Sequence, residues 1–210
     1  MIKYELIPEQ LLRENTCSPD NFFEPGIISD EIVLKTHEEE YFKRFRNLNL
    51  SKKEVREIGF PLSKELVYRE MTIAQGTIEC VKYSLKNGIS MNIAGGTHHA
   101  FYDRGEAFCM LNDQAIAAKY LINKKLVKKI MIIDLDVHQG NGTASIFSEN
   151  KEVFTISFHG KKNYPFRKER SDIDVEFEDN TDDHLYLKKL KDFIPNAIDN
   201  FKPDFIFYLS

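Results

Sequence analysis

The chain has 210 residues, 42% hydrophobic and 30% charged, which is apolar material for one α/β domain and too little for two ordinary ones. With 29 basic against 33 acidic side chains and a formal charge of −4, it lacks the basic surplus of a nucleic-acid binder, so no nucleic-acid partner is expected. The longest apolar runs, Ile130 to Ile133 and Phe205 to Leu209, fall far short of the ~20 residues that span a bilayer, and Met1 to Arg13 has no signal-peptide core, so a cytoplasmic protein without membrane contact is expected.

Ser63 is placed to cap a helix reaching about Asn87, because Leu66, Val67, Met71, Ala74, Ile78, Val81 and Leu85 recur at helical spacing and Gly88 follows. Ile89 to Ala94 reads as a short strand entering Gly95-Gly96, and Asn112 to Ile122 as the next helix. Ile130 to Ile133 is apolar without alternation, the mark of a parallel strand covered on both faces. A short helix over Thr143 to Phe147, a strand over Val153 to Phe158, a helix over Thr181 to Phe201 and a strand over Phe205 to Leu209 follow. Pro195 should kink or divide the last helix, since proline removes a backbone donor. Between Lys161 and Asp183 a basic loop gives way to an acidic stretch, read as a solvated connection with a short edge strand in which Ile173, Val175 and Phe177 point inward. Strand and helix alternate, which predicts one α/β domain over residues 1–210, with a doubly wound, mainly parallel sheet flanked by helices.

Ligands of open α/β sheets bind beyond the carboxyl ends of the strands. After Ile133 comes Asp134-Leu-Asp136-Val-His138-Gln-Gly140-Asn141-Gly142. Asp136 and His138 lie two apart and point the same way from an extended backbone, which suits a carboxylate oxygen and an imidazole nitrogen sharing one metal ion. Most such pairs are surface charges; two carboxylates at the end of a buried strand, however, need compensation, and a cation supplies it. The second place is Gly95-Gly96-Thr97-His98-His99, where glycines permit the sharp geometry that aims two imidazoles into a cleft, although a histidine pair can equally be two exposed loop residues. Asp134 and Asn141 are available to fix the imidazole tautomers.

Taken together, Gly95-Gly-x-His98-His99, then Gly105-x-x-Phe108-Cys109 leading into Leu111-Asn112-Asp113, then Asp134 to Gly142, resemble in order and spacing the motifs of the histone deacetylase superfamily. The Asp-Val-His-Gln-Gly-Asn-Gly form, with Tyr164-Pro165 downstream, is most similar to the class IV and bacterial deacetylase-like branch. The resemblance implies the arginase/deacetylase fold and hydrolysis of an N-acyl amide, on acetyl-lysine in a protein or peptide or on an acetylated polyamine, by one zinc or iron(II) ion. It makes Asp136 and His138 two of three metal ligands, His98 the histidine paired to Asp134, and His99, facing Asn141, the general base and acid. Phe108 becomes one wall of a narrow acyl-lysine tunnel and Tyr164 the opposite wall. Asp134, Asp136, His138, Ser157 and Phe158 occupy the positions of a structural potassium ion, several of them through backbone oxygen.

There are departures. The family continues past the strand matching Phe205 to Leu209 with a glycine and an aspartate that is the third ligand, and later with a tyrosine that polarises the scissile carbonyl, whereas this sequence stops at Ser210. The expectation is the central part of a longer domain, inactive alone, or else a non-catalytic fragment that binds acyl-lysine or metal. Ala107 stands where the family usually has glycine, and its methyl would narrow the channel or shift the backbone. A ureohydrolase with two manganese ions and an Asp-x-His-x-Asp run is disfavoured, because Gly140 falls at the last carboxylate's position. The three cysteines, Cys17, Cys80 and Cys109, lack Cys-x-x-Cys spacing and suggest neither disulfides nor a thiolate zinc site, and Cys109 reads as packing.

Overall fold

A computed structural model describes residues 2–210. The elements run α1 (Lys3–Arg13), a 3-10 turn (Pro19–Asn21), α2 (Asp30–Val33), α3 (Glu39–Arg46), α4 (Lys52–Ile58), α5 (Lys64–Asn87), α6 (Asp113–Asn123), β1 (Ile130–Asp134), α7 (Asn141–Phe147), β2 (Val153–Gly160), β3 (Ile173–Phe177), α8 (Asp183–Phe201) and β4 (Phe205–Leu209). Side-chain caps set several starts. Ser63 accepts from the Leu66 N–H, Asn112 from Ala115 and Asp182 from Leu185, each satisfying an N–H that a helix start leaves without a partner. Gly88 ends α5 with φ +92°, where a side chain would be strained.

The strands form one parallel sheet in the order β3-β2-β1-β4. β1 therefore has a neighbour on each side and is buried throughout. Its side chains alternate between two apolar layers. Ile130 and Ile132 join Val153 and Phe207 beneath α3, α5 and α6, while Met131 and Ile133 join Ile156, Phe158, Val175 and Ala197 beneath α8. Helices thus cover both faces, the α/β arrangement that continuous apolar strands require. Among the described residues no helix is long and apolar enough to cross a membrane.

Two expectations are corrected. Ile89 to Ala94 is not a strand: Ile89 and Met91 are exposed, and the Asn92 side chain makes the local bonds, donating to the Ile73 carbonyl (3.0 Å) and Thr77 Oγ1 (2.8 Å) and accepting from the Ala94 N–H (3.1 Å). Pro195 does not divide α8, which runs unbroken from Asp183 to Phe201. Pro195 leaves the Lys191 carbonyl one turn back without its N–H, and beside it Asn196 Nδ2 donates to the Asp192 carbonyl (2.6 Å).

Candidate active site

β1 delivers Asp134 to its carboxyl end, and the chain then turns through Asp136 and His138 before α7 begins. The carboxylates organise this turn: Asp134 Oδ1 accepts from the Asp136 N–H (3.0 Å) and Asp136 Oδ1 from the His138 N–H (2.8 Å). His138 Nδ1 lies 2.9 Å from the same Asp136 oxygen, with both side chains partly exposed. Gln139 points the other way and is buried. It binds the Glu169 backbone and Asp174, which anchors the basic loop instead of leaving it free in solvent.

The histidine loop is held from both sides. Asp113, the first residue of α6, accepts from the Thr97 N–H (2.8 Å), the Gly96 N–H and Thr97 Oγ1. On the far side the Thr143 N–H of α7 donates to the His98 carbonyl (3.1 Å). α7 comes this close because Gly142 has no side chain; a Cβ there would stand 2.3 Å from the Ala100 carbonyl oxygen. Gly96 takes φ +90°, the bend that turns both imidazoles toward β1. Their rings lie 4.1 Å apart.

The two neighbours have different partners. His98 Nδ1 meets Asp134 Oδ2 at 2.5 Å; burial lowers the pKa of this ring, but the Asp134 carboxylate outweighs it and the net direction is up. His99 Nδ1 meets the neutral Asn141 Oδ1 at 2.7 Å. Burial and then the adjacent His98 push His99 down to about 3, against the Asn141 hydrogen bond that raises it. One ring is held toward the cation and the other neutral.

Around these rings stand aromatic and acidic side chains. Tyr164 packs edge-on against His99 (5.0 Å between centroids) and lies 6.1 Å from His138, and its hydroxyl donates to Glu106. Phe108 is largely exposed and leans on Phe60 (5.0 Å). Ala107 and Phe108 both have positive φ, +44° and +67°, inside a tight turn closed by reciprocal Glu106–Cys109 backbone bonds (2.9 and 3.0 Å). The Ala107 methyl therefore sits where glycine is preferred, at a strain of roughly 1–2 kcal/mol. Cys109 is buried and its thiol is pushed up by that burial, as befits a packing residue. Ser157 pairs in register with Asp134 beside the buried Phe158, and its hydroxyl bonds His159 Nδ1 at 3.0 Å.

The turn after β1 and the His98–His99 loop thus meet through the His98–Asp134 and His99–Asn141 pairs, with Tyr164 against His99 and His138. Sequence reasoning missed Glu106 and Phe60, whose partners lie far away in the chain, and it named Asp113 in a motif without its role of holding the histidine loop. It also missed His37, a buried ring whose Nε2 accepts from the Asn112 N–H (3.0 Å) at the start of α6.

Residues 2–210 match the family model of the histone deacetylase domain. The chain is 38% identical over 208 residues to an uncharacterized protein of Picosynechococcus, covering 99% of this chain and 69% of that protein. It is 28% identical over 227 residues to the acetoin utilization protein AcuC of Staphylococcus aureus, covering 98% of this chain and 58% of that one. The solved structure of a histone deacetylase homologue from Aquifex aeolicus superposes with a TM-score of 0.80 at 23% identity, over 92% of this chain and 58% of the homologue. A homologue solved in complex with SAHA superposes equally well, also with 58% of its chain covered. The chain thus spans between 58% and 69% of the length of these relatives. With its parallel sheet and paired histidines in place, the chain belongs to the histone deacetylase family.

Proposed function

We propose that this chain carries the proton-transfer pair and part of the metal site of a hydrolase that removes an acetyl or other acyl group from lysine side chains of a protein or peptide, or from an acetylated polyamine. The observation that carries this reading is the division between His98 on a carboxylate and His99 on an amide, beside the Asp136–His138 pair.

The donors fit a metal. Asp136 Oδ1 and His138 Nδ1 are 2.9 Å apart at a partly exposed strand end, and two lone-pair donors that close need a proton or a cation between them. An oxygen and an imidazole nitrogen suit zinc or iron(II). Such an ion, when bound, acidifies water and polarises the acyl carbonyl. Potassium would be held by Asp134, Asp136, His138, Ser157 and Phe158, several of them through backbone oxygen. His99, neutral and with Nε2 bare, takes a proton from water in the cleft and later returns one to the departing amine. His98, held toward the cation by Asp134, offsets negative charge developing on the carbonyl oxygen. Phe108 and Tyr164 hold the methylenes of the acyl-lysine stem and exclude water.

Among the described residues no group of three or more His, Cys, Asp or Glu converges on one point, so weak zinc binding and slow turnover are expected of these 210 residues alone. The same observation favours a second reading, a module that binds acyl-lysine without hydrolysing it. Metal analysis, with acetate release from an acetyl-lysine peptide and from an acetylated polyamine, decides the matter. Sub-stoichiometric zinc that disappears in an Asp136→Ala, His138→Ala double variant, together with slow acetate release, supports the hydrolase. Tight zinc in that variant would refute the ligand assignment, and peptide binding without acetate release would favour the module.

A further inference from the structure

Glu106 stands outside the roles assigned above, yet two site groups, the Tyr164 hydroxyl and the Asn141 amide, meet on it. Its Oε1 accepts from the Tyr164 hydroxyl and from Asn141 Nδ2 (3.2 Å), and its Oε2 lies 3.7 Å from Arg104 Nε. Its backbone is fixed by the reciprocal bonds to Cys109. Asn141 can satisfy its neighbours in one orientation. Oδ1 takes the Gly142 N–H (3.0 Å) and faces His99 Nδ1 (2.7 Å), which leaves Nδ2 for Glu106. With the amide reversed, Oδ1 would face the Glu106 carboxylate and Nδ2 would face another donor at Gly142.

The orientation decides which nitrogen of His99 carries the proton. With Oδ1 toward the ring, Nδ1 holds the hydrogen and Nε2 keeps its lone pair. With Nδ2 toward the ring, Nδ1 must accept and the hydrogen moves to Nε2, where it blocks proton uptake from the cleft. We propose that Glu106 is a positioning residue that locks the Asn141 amide, keeps His99 Nε2 bare and seats Tyr164 against the same ring. Its catalytic consequence rests on the hydrolase reading; the tautomer does not.

The test is the 15N spectrum of the His99 ring in the intact chain labelled at histidine, near neutral pH, with the His37 signals as the check that the fold is kept. Wild type is expected to show the Nδ1–H form. Glu106→Leu removes the acceptor, and because a hydrogen bond to a charged group is worth about tenfold or more in an equilibrium, the Nε2–H share should rise by about that factor. Glu106→Gln retains a carbonyl acceptor and should restore the Nδ1–H form. Tyr164→Phe, which leaves the carboxylate in place, should not move the tautomer. Glu106→Ala gives the same readout as the leucine variant if leucine does not fit. A wild-type ring already in the Nε2–H form overturns the proposal, as does a leucine or alanine variant whose Nε2–H share does not rise. The hydrolase reading fails separately, if tight zinc persists in the Asp136→Ala, His138→Ala double variant, and that result would leave the positioning role standing.

Discussion

A Cβ on Gly140 would stand 2.3 Å from Asp134 Oδ2 and 3.3 Å from His98 Nδ1. The φ of Gly140 is an ordinary −71°, so closeness, not backbone conformation, requires the missing side chain. This is the position two beyond His138, where a dinuclear ureohydrolase would place a further carboxylate. Any side chain there would enter the space that the His98–Asp134 pair occupies.

Gly140→Ala should therefore part His98 from Asp134. The expected cost is about 1–3 kcal/mol, the usual range for an extra methyl forced into a packed site. Chemical denaturation measures it, and an unchanged midpoint with an unchanged His98 ring spectrum would contradict the geometry.

Exchanging the amide that faces His99 for a carboxylate tests the division between the two rings. Asn141→Asp gives His99 the kind of partner that His98 has, which raises its pKa from about 3, so the acidic limb of the kcat–pH profile should move upward. His99→Ala should lower kcat by about 10²–10⁴. An acidic limb that stays in place in the aspartate variant would remove His99 from the role of base.

Three buried groups contribute to the pH dependence of stability. Burial lowers His37 to about 4 and His99 to about 3, so acid protonates them first in the unfolded chain, and stability falls as pH drops below about 6.5. Glu70 is raised to about 7 by burial and so keeps its proton longer when folded; its contribution is complete below about 4.5 and is lost as pH rises through 7. Between about pH 4.5 and 6.5 the two histidines oppose the one carboxyl, and these groups together cost roughly 1 kcal/mol per pH unit on acidification. Glu70→Gln removes the opposing group, so the acid slope should become about twice as steep. Urea melts at several pH values measure both slopes, and a shallower slope in the variant would refute the assignment.

Much of this was legible in the sequence because the decisive residues follow apolar runs. Ile130 to Ile133 announces a covered strand, and whatever comes next must lie at the sheet's carboxyl edge. Ser63 and Gly88 mark both ends of α5 by local chemistry alone. The segment Ile89 to Ala94 misled because its apolar residues alternate as in a strand, whereas Asn92 binds across to α5 and takes the place of a ladder. Glu106 and Tyr164 are 58 residues apart, as His37 and Asn112 are 75 apart, and no local pattern couples such pairs. Only the folded chain brings them into contact.

The turn that carries Phe108 is also fastened from below. The Ala107 and Phe108 N–H groups donate to the Glu57 and Ile58 carbonyls (3.0 and 2.7 Å), and a Cβ on Gly59 would lie 2.8 Å from the Phe108 ring. Ile58 itself is buried in the larger apolar layer. Phe108 and the last turn of α4 are therefore fastened together, so that displacing Phe108 would disturb the backbone that carries the buried Ile58. On the proposed reading of Phe108 as a tunnel wall, the width of that tunnel would be set by hydrophobic packing on the reverse side of the turn, at residues the acyl-lysine stem does not touch.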